Sequence, residues 1–113
     1  MTYEAFRIYA KSRTGDPPRP EPVDARERRL SIRPLSDNAV IGSLARGYDP
    51  QPTHSMRGPY DAAYRAGRIL KCLTDETYWM IVSVEQIGRR RRGVGHSDQV
   101  RLRVARHNWG ETL

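Results

Sequence analysis

Four consecutive arginines, Arg89, Arg90, Arg91 and Arg92, are the residues best suited to chemistry in this chain, and the chemistry is the binding of anions. A guanidinium is permanently charged and presents a planar fork of donors that matches phosphate and the acceptor edge of guanine. Arg101, Arg103 and Arg106 continue the field, with Trp109 nearby as a stacking or core residue. Between residues 86 and 110 seven arginines face one acid, Asp98, a net of +6 within a formal +7 for the whole chain. Charge concentrated in this way repels itself, and an anionic partner relieves the repulsion. Of the 20 basic residues only Lys11 and Lys71 are lysines, so the basic set favours bidentate contacts.

Other chemistries lack the residues they need. Gly93-Val94-Gly95 has no third glycine at dinucleotide-fingerprint spacing, no following Lys-Ser/Thr pair and no apolar strand directly before it. His96, Asp98 and His107 match no metal-ligand spacing, and the lone Cys72 cannot build a structural zinc site. His54 and Ser55 are neighbours, and adjacent side chains on extended backbone point opposite ways, so they make no nucleophile and base. No catalytic, cofactor or metal residues are therefore expected, and the chain reads as non-enzymatic.

Composition sets the frame around these residues. A chain of 113 residues with 37% apolar content and a mean hydropathy of -0.77 supports one modest core. The expected organisation is an N-terminal element at 1–11, a proline-rich linker at 12–23 and one globular domain at 24–113 with a basic C-terminal region. The linker follows from four prolines within residues 17–22, which remove amide donors and fix φ. No run approaches the roughly 18 apolar residues of a membrane span, and no apolar h-region opens the chain, so a cytoplasmic protein without membrane contact is expected. The single cysteine agrees with a reducing compartment.

The elements that must position the arginines are read mostly as helices. Tyr3, Phe6 and Ala10 fall at helical spacing, although Phe6, Ile8 and Ala10 alternate as a strand would. Asp24 and Glu27 have the form of a capping box for a short helix that Pro34 ends, with Arg26, Arg28 and Arg29 on its solvated face. Ser36-Asp37 caps a second helix with Val40, Ile41 and Leu44 on one stripe and Gly47 as its stop. Residues 48–59 read as a long loop. Ala62, Ala66, Ile69, Leu70 and Leu73 share a face of a helix over 61–73. Thr74-Asp75 then caps a helix over 77–87 carrying Met80, Ile81, Val84 and Ile87, against a rival alternation of Tyr78, Met80, Val82 and Val84. Val100, Leu102 and Val104 alternate with Arg101 and Arg103 and leave helix and strand open. The expected fold is mainly α, a small helical domain with a C-terminal helix-turn-helix-like unit. The alternative is α+β with a C-terminal β-hairpin at 77–106 that carries the arginine tetrad at its tip.

From about residue 47 to 105 the order of features resembles the phage late-gene antiterminators of the Q type. The matching residues are Gly47-Tyr48, then Ala66, Ile69 and Leu73, then 80–87, then Gly93-Val94 with Val100. The resemblance implies DNA binding and contact with RNA polymerase. Residues and resemblance together give the expectation of a small DNA-binding transcription regulator, with DNA favoured over RNA. The contact set is Arg89, Arg90, Arg91, Arg92, Arg101, Arg103 and Arg106. The rival is a protein-binding inhibitor or adaptor, such as a phage-encoded antagonist of a host protein, whose basic patch docks on an acidic or nucleic-acid-binding surface.

Overall fold

The structure, a computed structural model, describes residues 3–11, 20–48, 50–87 and 99–108. Alternation prevails over helical periodicity in every described element but one. The elements are β1 (Tyr3–Lys11), β2 (Pro20–Pro22), β3 (Arg28–Pro34), α1 (Asp37–Arg46), β4 (His54–Pro59), β5 (Ile69–Cys72), β6 (Tyr78–Ile87) and β7 (Gln99–His107). Strands β1-β3-β4-β7-β6-β5 lie side by side, all antiparallel, and β5 returns to pair with β1, which closes a six-stranded barrel. Closure leaves no long edge for another chain to pair with. The short β2 extends the line of β3 along the same side of β1, where Tyr9 pairs with Pro22 and Val23 N donates to Ile8 O at 2.9 Å. Prolines are tolerated there because only one residue between them has an amide to place.

The mainly α expectation, with its helix-turn-helix-like unit, is therefore overturned. Of the alternative, the antiparallel pairing of β6 with β7 is present, but as part of the barrel rather than as a hairpin on a helical domain. Three expected helix starts are instead turns that feed strands. The Oδ1 atoms of Asp24, Asp61 and Asp75 accept from the amides of Arg26, Ala63 and Thr77 at 2.9, 2.8 and 3.1 Å, each two residues on. An aspartate bonding two residues ahead makes an Asx turn, which mimics the sequence of a cap without starting a helix. Ser36 is a true cap, since its Oγ accepts from Ala39 N three residues on, and Gly47 closes α1 at φ 70° as its sequence requires.

Inward-facing residues fill the barrel: Phe6 and Ile8 from β1, Leu30 from β3, Met56 from β4, Leu70 from β5, Trp79 and Ile81 from β6, and Val100, Leu102 and Val104 from β7. Tyr64, in the loop before β5, joins this cluster. Gly58 is required where β3 and β4 approach, because a Cβ there would stand 2.7 Å from Arg29 O and from Leu30 Cδ2. In β6 a bulge between Ile81 and Ser83 adds one residue against β7. The inward positions Ile81 and Val84, opposite Val104 and Leu102, are then three apart rather than two, a helix-like step within a strand.

Arg28, read from sequence as part of a solvated face, is only 7% exposed. Its Nη1 and Nη2 donate to both carboxylate oxygens of Asp24 at 2.8 and 2.7 Å, and its Nε donates to Asp61 Oδ2 at 2.9 Å. The Arg28 partnership is the main cause that lowers the Asp24 carboxyl to about 2, and the two acids in turn raise the guanidinium further above its ordinary value. At Asp61 burial acts upward, but the Ala63 amide and Arg28 prevail and the net shift is downward. Among the described residues no helix is long and apolar enough to cross a membrane.

Candidate anion-binding cleft

The outward faces of four adjacent strands carry two rungs of polar side chains. Directly paired residues share a face, so the register gives one rung as Ser31, Arg57, Arg101 and Glu85 on β3, β4, β7 and β6. The next rung, two residues along each strand, is Arg33, Ser55, Arg103 and Ser83. The bulge in β6 sets Ser83 and Glu85 in line with Arg103 and Arg101. With strands about 4.8 Å apart and rungs about 6.8 Å apart, the four arginines of three adjacent strands stand within a patch about 10 Å by 7 Å.

These rungs floor a cleft of about 230 Å³ whose wall is the start of α1, contributed by Leu35, Ser36 and Ala39. Arg33, Arg57, Arg101 and Arg103 line it together with Ser55 and the buried Ser31, whose hydroxyl donates to Arg57 O at 3.4 Å. Arg57 and Arg101 are direct cross-strand neighbours, an arrangement of like charges that costs stability unless something negative lies over it. Among the described residues Glu85 is the only acid paired with any of the four, reaching Arg101 at 3.6 Å with both side chains partly in solvent. Such an exposed pair contributes little and exchanges readily for a stronger anion. Asp37, in the first turn of α1, adds a second carboxylate near the wall.

Tyr48, just past α1, marks the β6 side of the patch. Its phenol is held below its ordinary value chiefly by Arg46, with burial opposing and with Ser83 and the charge of Arg103 adding to the downward shift. The cationic field therefore reaches from the α1 wall to the β6 edge.

The sequence-predicted contact residues divide into three groups. Arg101 and Arg103 point into the cleft. Arg106 does not join them: it lies in the opposite phase of β7, where its guanidinium covers the Trp79 ring at 5.5 Å from the centroid. His54 meets the same Trp79 edge-on at 4.8 Å, and burial first, then the charge of Arg106, lowers its pKa. Arg89, Arg90, Arg91 and Arg92 lie outside the described residues, in the stretch that joins the paired residues Ile87 and Gln99. Arg33 and Arg57 carry no local signal of a site, because 24–33 reads as helix and 48–59 as loop. The strand signal around them is the alternation Leu30-Ser31-Ile32-Arg33 and Ser55-Met56-Arg57-Gly58, apolar or glycine inward and polar outward.

Cys72 is buried against the core with Sγ 3.5 Å from Glu4 Oε2, and burial raises its pKa, so it is a packing thiol. Among the described residues no group of three or more His, Cys, Asp or Glu side chains converges to hold a metal ion. The chain matches no model of a known protein family and no curated protein. The segments carrying the resemblance to Q-type antiterminators, read there as helices, hold turns and β5 near 66–73 and β6 at 80–87.

Proposed function

We propose that the protein acts by binding nucleic acid, as a small non-enzymatic regulator whose contact surface is the outer face of β3, β4 and β7 beside α1. The observation that carries this reading is the doubled rung. Four guanidiniums from three strands converge on one cleft, two of them directly opposed, and among the described residues the only carboxylate ion-paired with any of them is that of the solvent-exposed Glu85. Phosphodiester oxygens supply what the patch lacks, a row of anions able to accept from guanidinium forks and from the hydroxyl of Ser55. The arginines run in phase on a rigid barrel wall, which suits a backbone clamp better than a reader of base edges. The tetrad at 89–92 lies outside the described residues, and its four charges add to the long-range attraction that a positively charged chain exerts on a polyanion.

The test is a fluorescence anisotropy titration of mixed-sequence oligonucleotides at low salt. It compares the intact protein with an Arg33→Ala/Arg57→Ala/Arg103→Ala variant whose circular dichroism is unchanged. The intact protein is expected to bind and the variant to lose at least about thirtyfold in affinity, given roughly 1.4 kcal/mol for each factor of ten. Absence of binding by the intact protein, or equal binding by the variant, contradicts the reading.

A further inference from the structure

The arginine floor continues past the cleft on the same outward faces. Two residues beyond Ser31 on β3 stands Arg29, and two beyond Arg57 on β4 stands Pro59, the partner of Gln99 on β7. Arg29 and Pro59 also line a second pocket of about 200 Å³, together with Arg26, Tyr60 and Tyr64. The rung of Arg57 and Arg101 has a further member on β1, since Tyr3 is the direct partner of Ser31. Register therefore joins Tyr3, Arg29 and the second pocket to the face that carries Arg33, Arg57, Arg101 and Arg103.

Among the described residues Tyr3 and Tyr60 are the two most exposed aromatic side chains, at 48% and 44%. A lone ring in solvent needs no explanation. These two flank one cation: Tyr3 is the diagonal cross-strand neighbour of Arg29, and Tyr60 shares its pocket. Between Tyr3 and Arg57 the rung holds only the small, buried Ser31, so no tall side chain of that rung separates ring from guanidinium. With about 4.8 Å between strands and about 3.4 Å per residue, Tyr3 and Tyr60 stand about 14 Å apart, far enough to engage different bases of one strand.

Cations interleaved with exposed rings match a strand whose bases are unpaired. Phosphates accept from the guanidiniums, and each base lays its face on a ring. A duplex keeps those faces inside its own stack, and an acidic polypeptide uses the cations and leaves the rings idle. We infer that Tyr3 and Tyr60 stack on unpaired bases of the nucleic acid whose phosphates lie over Arg33, Arg57 and Arg103, with Arg29 contacting the phosphate between the two rings. This inference rests on the nucleic-acid reading above and adds base contacts to it. Stacking accepts any base, because each has a π face, so the two tyrosines contribute affinity without fixing a target sequence.

The experiment titrates the full chain with labelled single-stranded DNA and RNA of about 12 nucleotides, a blunt DNA duplex of the same sequence, and an abasic strand of that length, which keeps sugar and phosphate but has no bases. The variants are Tyr3→Ala/Tyr60→Ala, the ring-retaining Tyr3→Phe/Tyr60→Phe, and Tyr3→Leu/Tyr60→Leu, which keeps apolar bulk without a π face, each checked by circular dichroism. The intact protein should bind at least one base-bearing single strand about tenfold or more tighter than the abasic strand. On that strand the Ala and Leu variants should each lose at least about tenfold, while their binding to the abasic strand and the duplex stays within about twofold. The Phe variant should match the intact protein on every probe. Abasic binding as tight as base-bearing binding, an Ala variant that binds the single strand normally, or a Leu variant that binds as the Phe variant does overturns the inference. The nucleic-acid reading stands in those cases as long as Arg57→Ala/Arg103→Ala weakens every probe. If none of the probes binds at low salt, the nucleic-acid reading falls and this inference with it.

Discussion

Arg28 and the pair Arg57 and Arg103 belong to one residue type on adjoining strands, yet the molecule treats them oppositely. Arg28 is closed in by two aspartates that accept from three of its nitrogens, at the end of the barrel where its loops meet. Arg57 and Arg103 share a floor with two further arginines and one loosely paired glutamate. A buried cation that bonds two carboxylates through three of its nitrogens holds structure, because removing it leaves both acids without their strongest partner. A surface cation facing like charges does nothing for the fold and retains its capacity for a ligand. Composition cannot tell these arginines apart, whereas their partners can.

The largest effect that separates the two classes is on stability. Arg28→Met leaves Asp24 and Asp61 without their partner and is expected to cost about 3 kcal/mol in denaturant unfolding, with no specific loss of nucleic-acid affinity at temperatures where the variant is folded. The same network should be visible in pH. The carboxyl of Asp24 is lowered in the folded state, so its contribution is fully present above about pH 4 and is lost as the pH falls towards its folded value of about 2. Asp61 shifts in the same direction. Unfolding midpoints should therefore drop through that acid window, and Asp24→Asn should flatten the drop. An unchanged acid profile in Asp24→Asn would show that the network is not what the low pH disrupts.

A smaller loss, about 2 kcal/mol, is expected from Gly58→Ala, whose methyl meets Arg29 O and Leu30 Cδ2 at 2.7 Å and pushes β3 from β4. Because that contact sets Ser31 beside Arg57, binding should weaken along with stability. Arg57→Ala/Arg103→Ala should do the reverse of Arg28→Met: stability within about 0.5 kcal/mol of the intact protein, and affinity for a single strand about tenfold lower. The smallest effect is expected from Glu85→Gln, which frees Arg101 from its 3.6 Å partner and should tighten binding about twofold. Weaker binding in Glu85→Gln would mean that the glutamate serves the site rather than competing for it.

How far this arrangement was legible in the sequence depends on the kind of signal. The Ser36 cap, the Gly47 stop and the helix between them follow from side chains that act within one turn, and they stand where their chemistry requires. Asp24, Asp61 and Asp75 carry the same local chemistry, but their bonds reach two residues ahead rather than three, and nothing in residue identity separates those outcomes. The choice is made by distant pairing, such as Phe6 with Cys72 or Met56 with Leu102, which a local window does not contain. At β6 the bulge disguised a strand as a helix. At β7 the alternation of Val100, Leu102 and Val104 with Arg101 and Arg103 was open to a strand reading, and half of the described arginine floor was visible there. Arg33 and Arg57 completed it only when β3 and β4 came alongside, since a site assembled across strands is written in register rather than in spacing.

The claim at the centre of this account is that the arginines of the two rungs contact phosphates. Its most direct test is the salt dependence of single-strand binding, measured as the slope of log affinity against log salt for the intact protein, Arg28→Met and Arg57→Ala/Arg103→Ala. Each phosphate contact on a single strand contributes about 0.7 to that slope, so losing Arg57 and Arg103 should make it shallower by about 1.4, whereas Arg28→Met should leave it unchanged. A slope that stays the same when Arg57 and Arg103 are removed, or that falls with Arg28, would contradict the account.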